Sequence, residues 1–237
     1  VVYALEHDMI DGEAVSYEGA DVVMLALPPR VTVRELKEGA FPDGCIVMDV
    51  CGVKSAPEQA AFSKPRKWRY VGTHPMAGKE TSGIRSASDT LFVGANFVIT
   101  HAPQTDAAAL DTARSLAKDM GFGRIVECSA AEHDRMIALT SQLCHVAANA
   151  YVTTPLSAGC VGFTGGSFQD MTRVAPVDEA MWAELFCMNS EALCEEIVRL
   201  SRRLDAFADA IRDRDEARIC ALMREGKACY EEFFRRN

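Results

Sequence analysis

Short apolar runs separated by amphipathic stretches fill the first half of the chain, and the second half turns to helical spacing throughout. Residues 21–27 (DVVMLAL) and 45–50 (CIVMDV) are nearly continuous apolar runs of strand length, as expected of parallel strands covered on both faces. A short helix is expected between them, over about residues 32–39. Residues 70–73, 96–100 and 124–128 read as further strands, with helices over 56–63 and 106–120 between them. This alternation predicts an α/β domain with a mostly parallel sheet. Ahead of it, residues 4–10 read as the end of a helix, and Asp11-Gly12 as a turn.

After Cys128 the strand-like runs stop. Residues 130–153, 178–211 and 215–235 carry helical periodicity, the second stretch long enough for one or two helices. A loop rich in Gly and Ser, residues 156–169, lies between the first two. The expected organisation is therefore a sheet domain over residues 1–130 and an all-α domain over 131–237.

Composition narrows this picture. A chain of 237 residues, 49% hydrophobic, can bury one large core or two modest ones. A net charge of -9 offers no footprint for nucleic acid or an anionic membrane. No apolar run approaches the roughly 18–20 residues needed to cross a bilayer, and the start of the chain lacks a signal-peptide pattern, so a cytoplasmic protein is expected. The nine cysteines are scattered, with no CxxC and no Cys/His pair at zinc spacing; they are expected to be reduced, and no metal site is expected. The chain opens Val1-Val2-Tyr3 without an initiator methionine and enters mid-element, so further residues are expected upstream.

Within this frame His74 follows a predicted strand and precedes Pro75. That places it at the carboxyl edge of the sheet, where open α/β sheets bind ligands. Pro75 holds it extended and Gly78 permits a reversal that presents the ring to a cleft. A loop histidine that merely satisfies backbone is the plainer alternative, and Glu80, six residues on, does not decide between them. Arg173 ends the segment Gly165-Gly166-Ser167-Phe168-Gln169-Asp170-Met171-Thr172-Arg173, ahead of a helix carrying Trp182. A guanidinium there suits bidentate capture of a carboxylate, and equally a structural ion pair with Asp170 or Asp178. His145 sits on an otherwise apolar helix, which fits a satisfied core histidine as well as a ligand. His133-Asp134 reads as a device of a helix terminus.

Taken in order, these segments form a set. Val71-Gly72-Thr73-His74-Pro75-Met76-Ala77-Gly78-Lys79-Glu80, then Leu91-Phe92-Val93-Gly94-Ala95, Glu132-His133-Asp134, Ser141-Gln142-Leu143-Cys144-His145, Phe168-Gln169-Asp170-Met171-Thr172-Arg173 and Met181-Trp182 resemble the prephenate and arogenate dehydrogenase family in order and spacing. The resemblance implies an incomplete Rossmann-like nucleotide-binding domain followed by a helical substrate and dimerisation domain. It also implies an enzyme that oxidatively decarboxylates prephenate to 4-hydroxyphenylpyruvate in tyrosine biosynthesis, with hydride passing to NAD or NADP. By the same resemblance His74 is the catalytic base and Glu80 supports the polar network around it. His145, Arg173, Gly166 and Trp182 belong to the substrate pocket, and the partners are prephenate or arogenate and a second copy of the chain. Helices from residue 178 onward carry an apolar surplus (Leu185, Phe186, Leu193, Ile197, Leu200, Leu204, Phe207) that also favours association.

The chain departs from the family pattern at two places. Where the family usually has Asp-Val-Gly-Ser-Val-Lys, with a serine that assists the histidine, this chain has Asp49-Val50-Cys51-Gly52-Val53-Lys54. Cys51 or an ordered water are the available substitutes. No Gly-x-Gly-x-x-Gly occurs in the 237 residues; the helix amides that normally hold the pyrophosphate belong to that turn. The expectation is that a sheet centre is missing, that strands 21–27 and 45–50 lack neighbours, and that the chain alone binds the cofactor poorly. What remains for the cofactor is the loop Ala26-Leu27-Pro28, with Pro29 as a strand end. Competing readings are an arogenate dehydrogenase, a dehydrogenase of another hydroxy acid, and a non-catalytic carboxylate-binding module.

Overall fold

The computed structural model describes residues 1–79 and 83–236. Five strands, β1 (Val22–Leu25), β2 (Ile46–Asp49), β3 (Arg69–Pro75), β4 (Asn96–Thr100) and β5 (Arg124–Cys128), form one sheet in the order β1-β2-β3-β4-β5. The pairs β1/β2, β2/β3 and β4/β5 are parallel, whereas β3/β4 is antiparallel. Parallel neighbours need a crossover, supplied by α2 (Pro29–Glu38), α3 (Ser55–Ala61) and α4 (Ala107–Asp119). Between β3 and β4 the described residues hold only a 3-10 turn at Ile84–Ser86, so the chain can return antiparallel.

The strands at 21–27 and 45–50 do not lack neighbours. β1 pairs with β2 from Val22↔Ile46 to Leu25↔Asp49, and β2 pairs in turn with β3. All four residues of β2 are buried, which accounts for the apolar run Ile46–Met48 that precedes Asp49. Side chains alternate between two layers. Val23, Leu25, Val47 and Tyr70 pack with Leu36 of α2 and with Ala60 and Ala61 of α3. Ile46, Met48, Val71, Phe97 and Ile99 point the other way, onto Ala109, Ala113 and Ala117 of α4. Those alanines recur every four residues and present a smooth stripe that lets α4 lie close to the sheet. Asp106 starts α4 by accepting from the amide of Ala109 at 2.9 Å, a cap of the kind that contributes about 1 kcal/mol.

Several boundaries differ from the sequence pattern. α2 begins at Pro29, not near residue 32: a proline has no amide to leave unpaired in the first turn, so Pro29 opens the helix as well as closing the strand region. β3 runs two residues beyond 73, so His74 lies inside the strand, opposite Val98. The leading helix α1 is only Val2–Glu6.

Beyond β5 every regular element is helical. α5 (Ala130–Ile137), a π-wound turn (Ala138–Gln142) and α6 (Leu143–Val152) make one continuous rod, followed by α7 (Gly166–Thr172) and α8 (Glu179–Met188). Residues 1–190 form one compact unit and 191–237 a second. The second is built from α9 (Ser190–Arg212) and α10 (Glu216–Arg236), linked by an Arg203–Glu225 ion pair at 2.7 Å. No helix among the described residues is long and apolar enough to cross a membrane.

Candidate functional site

The site grows from the carboxyl ends of β2 and β3. Asp49, the last residue of β2, is fully buried, and its carboxylate takes an ion pair from Lys54, a 2.7 Å bond from the Tyr70 hydroxyl and a 2.9 Å bond from the Cys51 amide. Lys54, also fully buried, gives a second bond to the Thr73 carbonyl at 2.6 Å. Burial and the neighbouring Asp49 push the Tyr70 hydroxyl well above its usual range, so it stays a proton donor. Buried charges persist only when they are paired and bonded, and here every partner is supplied by the protein.

The next layer comes from α5. Asp134 reaches across to the start of α3, where its two oxygens accept the amides of Lys54 at 2.7 Å and Ser55 at 2.8 Å. The oxygen that takes the Lys54 amide also accepts from His133 Nδ1 at 2.8 Å. Burial works against the charge on Asp134, yet the bonds from His133, Ser55 and Lys54 hold the carboxyl below its ordinary value. His133 Nε2 lies 2.9 Å from Nδ1 of His74. Asn189 bonds the Asp134 carbonyl and the Gln142 side chain, each at 2.8 Å, and fixes the helix that carries the pair.

Proton positions follow from this arrangement. An ionised Asp134 only accepts, so the His133 proton sits on Nδ1 and its Nε2 is an acceptor. His74 therefore donates through Nδ1–H and keeps Nε2 bare. Burial, the Lys54 ammonium and His133 drive the His74 pKa down to about 3, against the opposing pull of Asp134. His74 is neutral at neutral pH and faces a cavity of about 630 Å³.

His145, Arg173, Trp182 and Lys79 line the same cavity. His145 donates from Nδ1 to the Val174 carbonyl at 2.8 Å and lies against Trp182, with ring centroids 3.8 Å apart. Arg173 follows α7, is exposed, and makes no ion pair among the described residues, so the pairing with Asp170 or Asp178 is not realised. Asp178 instead caps α8 through the Met181 amide at 2.9 Å.

Of the residues singled out from sequence, His74, His145, Arg173 and Trp182 meet at this one cavity. Gly166 opens α7 and is not among the lining residues; a Cβ built on it meets nothing within 4 Å. Ala26, Leu27 and Pro28 form the exposed loop between β1 and α2, away from the cavity lining. Glu80 lies outside the described residues. Gly52 lines the cavity, and Cys51 turns away from it to pack with Val53 and Leu185, its thiol pushed up mainly by burial. No Cys51 bond stands in for the absent serine; His133 occupies His74 Nδ1 instead.

The sequence pattern reads His133 and Asp134 as a helix-terminus device and assigns them no part in the site. α5 is capped by Ser129, which accepts the Glu132 amide at 3.2 Å, so the pair is free for other work. The readable signal was their position on the buried stripe with Ile137 and Ala138. A second cavity, of about 520 Å³, includes Arg66, Trp68 and Asp106 in its wall. Arg66 is committed there to the Leu36 and Lys37 carbonyls, and Arg69 is paired with Asp106 at 3.4 Å.

A sheet covered on both faces, whose strand ends lead to a cleft walled by helices that follow it, is the arrangement of the nicotinamide-dependent dehydrogenases as a class. The chain belongs to the prephenate dehydrogenase family: residues 3–127 match the family's nucleotide-binding domain and 129–225 its dimerization domain. It is 30% identical to the prephenate dehydrogenase of Lactococcus lactis, covering 94% of this chain and 65% of that one. To the Bacillus subtilis prephenate dehydrogenase it is 27% identical, covering 95% and 64%. The chain thus spans just under two thirds of the length of these curated relatives. Among solved structures, prephenate dehydrogenase from Aquifex aeolicus, in complex with hydroxyphenyl propionate and NAD+, superposes with a TM-score of 0.83 at 25% identity. That match covers 98% of this chain and 85% of the other.

Proposed function

We propose that the protein is a prephenate dehydrogenase, oxidatively decarboxylating prephenate to 4-hydroxyphenylpyruvate with NAD or NADP as hydride acceptor. The observation that carries this reading is the His74 ring, whose Nδ1 is committed to His133 while it lines a cavity shared with an unneutralised arginine. Kinship with the Lactococcus and Bacillus enzymes supports the same reading, as do the NAD+ and hydroxyphenyl propionate bound by the Aquifex relative.

In this reading His74 Nε2 takes the proton of the ring hydroxyl, the work of a general base. A dianionic substrate beside it raises the affinity of the imidazole for that proton, offsetting the burial and the Lys54 charge that lower it. Arg173 holds a substrate carboxylate through its planar fork. His145 offers its second ring nitrogen to the substrate, and Trp182 backs it as an apolar wall. Glu80 and Gly166 are assigned to the polar network and the substrate pocket as the resemblance implies. Loss of carbon dioxide toward an aromatic ring is strongly downhill, so positioning is the main task left to the protein.

A nicotinamide ring, when bound, supplies the hydride acceptor. The residues present fit part of such a group: the exposed loop Ala26, Leu27 and Pro28 at the end of β1 is the stretch assigned to it. The 237 residues hold no Gly-x-Gly-x-x-Gly turn for a pyrophosphate.

The same proposal includes a cofactor domain over 1–130, a substrate and dimerisation domain over 131–237, a cytoplasmic location and a homodimer. Nine free cysteines favour the reducing compartment. Exposed Leu204, Ile211 and Met223 on α9 and α10, together with the family description of 129–225, favour the dimer, which sedimentation equilibrium reads directly.

The test is turnover of prephenate by the natural full-length protein, followed as reduced cofactor and 4-hydroxyphenylpyruvate, with arogenate assayed in parallel. His74→Asn should lower kcat by about 10³-fold or more, at the upper end of a general base's contribution and beyond, with KM nearly unchanged. Unchanged turnover would refute the role of His74, and turnover confined to arogenate would refute the choice of substrate.

A further inference from the structure

Ionisable groups not used by the proposed reaction are concentrated behind His74. The chain from its Nδ1 runs through His133 to Asp134 in two bonds of 2.9 and 2.8 Å. Both residues are buried, His133 at 2% exposure and Asp134 at 5%. Every oxygen and ring nitrogen along this chain has a protein partner that fixes it. The Asp134 oxygens are held by two backbone amides at the start of α3, and its carbonyl by Asn189. A carboxylate held this way cannot rotate or donate, so the direction of both hydrogen bonds is set from the Asp134 end.

We propose that His133 and Asp134 are the positioning residues for His74. They hold its ring in one orientation and in the Nδ1–H tautomer, with Nε2 bare toward the cavity, and they spread the positive charge that develops when Nε2 takes a proton. The proposal rests on the reading of His74 as the base. In free imidazole side chains the Nε2–H tautomer is the commoner one, so an undirected His74 would present the wrong nitrogen for much of the time. A carboxylate–histidine unit that orients a second reacting group is an established solution to that problem in other enzymes; here the oriented group is itself a histidine. No proton need leave Asp134 or His133 for this to work: the proton taken from the substrate stays on His74 Nε2 while the two bonds behind it shorten.

The charged and titratable groups facing His74 are Lys54 from the β2–α3 connection, His133 and Asp134 from α5, and Lys79, His145, Arg173 and Asp178 around the cavity. None of these except His133 contacts Nδ1 among the described residues.

The experiment uses the natural full-length protein. Nitrogen-15 NMR of the wild type at neutral pH should show His74 as the Nδ1–H tautomer; a dominant Nε2–H form would overturn the proposal without any variant. His133→Phe keeps the ring volume and removes both nitrogens. It should lower kcat about 10²-fold, shift His74 toward the Nε2–H tautomer and leave KM within about threefold, an effect smaller than the loss of a complete triad member. His133→Gln, whose side-chain oxygen can still accept from His74 Nδ1, should recover at least tenfold of that loss. If the phenylalanine variant fails to fold, the glutamine variant and the wild-type tautomer still decide. Loss of activity in His74→Asn with full kcat in His133→Phe would sink the pairing while sparing the base. Full activity in His74→Asn would sink the base itself.

Discussion

The two walls of the cavity are built on opposite principles. Behind His74 lies a buried polar layer in which Asp49, Lys54, Tyr70, His133 and Asp134 are each bonded to a neighbour. Opposite it, Arg173 and Lys79 are exposed, and neither has a carboxylate partner among the described residues. The contrast separates two tasks. A proton acceptor needs a fixed tautomer and a fixed direction, which only a saturated network supplies. An anion receptor needs charge that the protein has not already neutralised, and saturation would cancel it.

If the inner wall is a saturated unit, removing one member should cost far more than its own contacts. Lys54→Met strands a buried carboxylate at Asp49, and loss of about 3–5 kcal/mol is expected from urea unfolding, the range for a broken buried pair. A loss under 1 kcal/mol would mean that the layer is wetter or looser than described. The outer wall should behave in the reverse manner. Arg173→Ala should leave unfolding within about 0.5 kcal/mol while raising KM for the substrate some 30-fold or more, roughly the 2 kcal/mol of a charge-assisted contact. A stability loss with unchanged KM would return Arg173 to a structural role.

Per histidine and per pH unit, the smallest effect is one of pH. The pKa values of His74 and His133 are both lowered, chiefly by burial, so the unfolded chain binds protons that the folded one refuses. The His74 contribution to stability is complete above the unfolded histidine value near 6.5 and is lost as pH falls through the window down to about 3, and that of His133 is lost in the same direction below 6.5. Asp134, whose pKa is also lowered, adds its own loss only below the ordinary carboxylate range. Stability should therefore decline from pH 6.5 to 4.5 by at most about 1.4 kcal/mol per pH unit for each histidine, and His74→Asn should flatten the curve. An equally steep decline in that variant would place the acid sensitivity elsewhere.

The same contrast governs what could be read in the sequence. The strands were legible because β2, buried on both faces, is apolar up to its closing Asp49, and the alanine stripe of α4 has a period of its own. Arg173, His145 and Trp182 were legible as an ordered set through the family spacing, since no one of their local patterns decides between a ligand and a structural residue. The inner wall was not. A lysine in sequence reads as exposed, yet Lys54 is fully buried because Asp49 and a strand-end carbonyl meet its ammonium. His133 touches His74 across 59 positions, a contact that no local pattern encodes. The extension of β3 through Pro75 was hidden for a related reason: the antiparallel partner β4 decides where the strand stops.

The π-wound turn at Ala138–Gln142 has a geometric consequence for both walls. His133 and His145 are twelve positions apart on a single rod, and in a regular α-helix they would point roughly 120° away from each other. Five residues at wider winding remove about one residue's worth of rotation, which brings the two rings to within roughly 30° in azimuth. The rod is in effect a crankshaft whose phase has been reset by one tooth, so that the two histidines share a side. A strictly periodic helix of the same composition would hold both residues and lose the cleft.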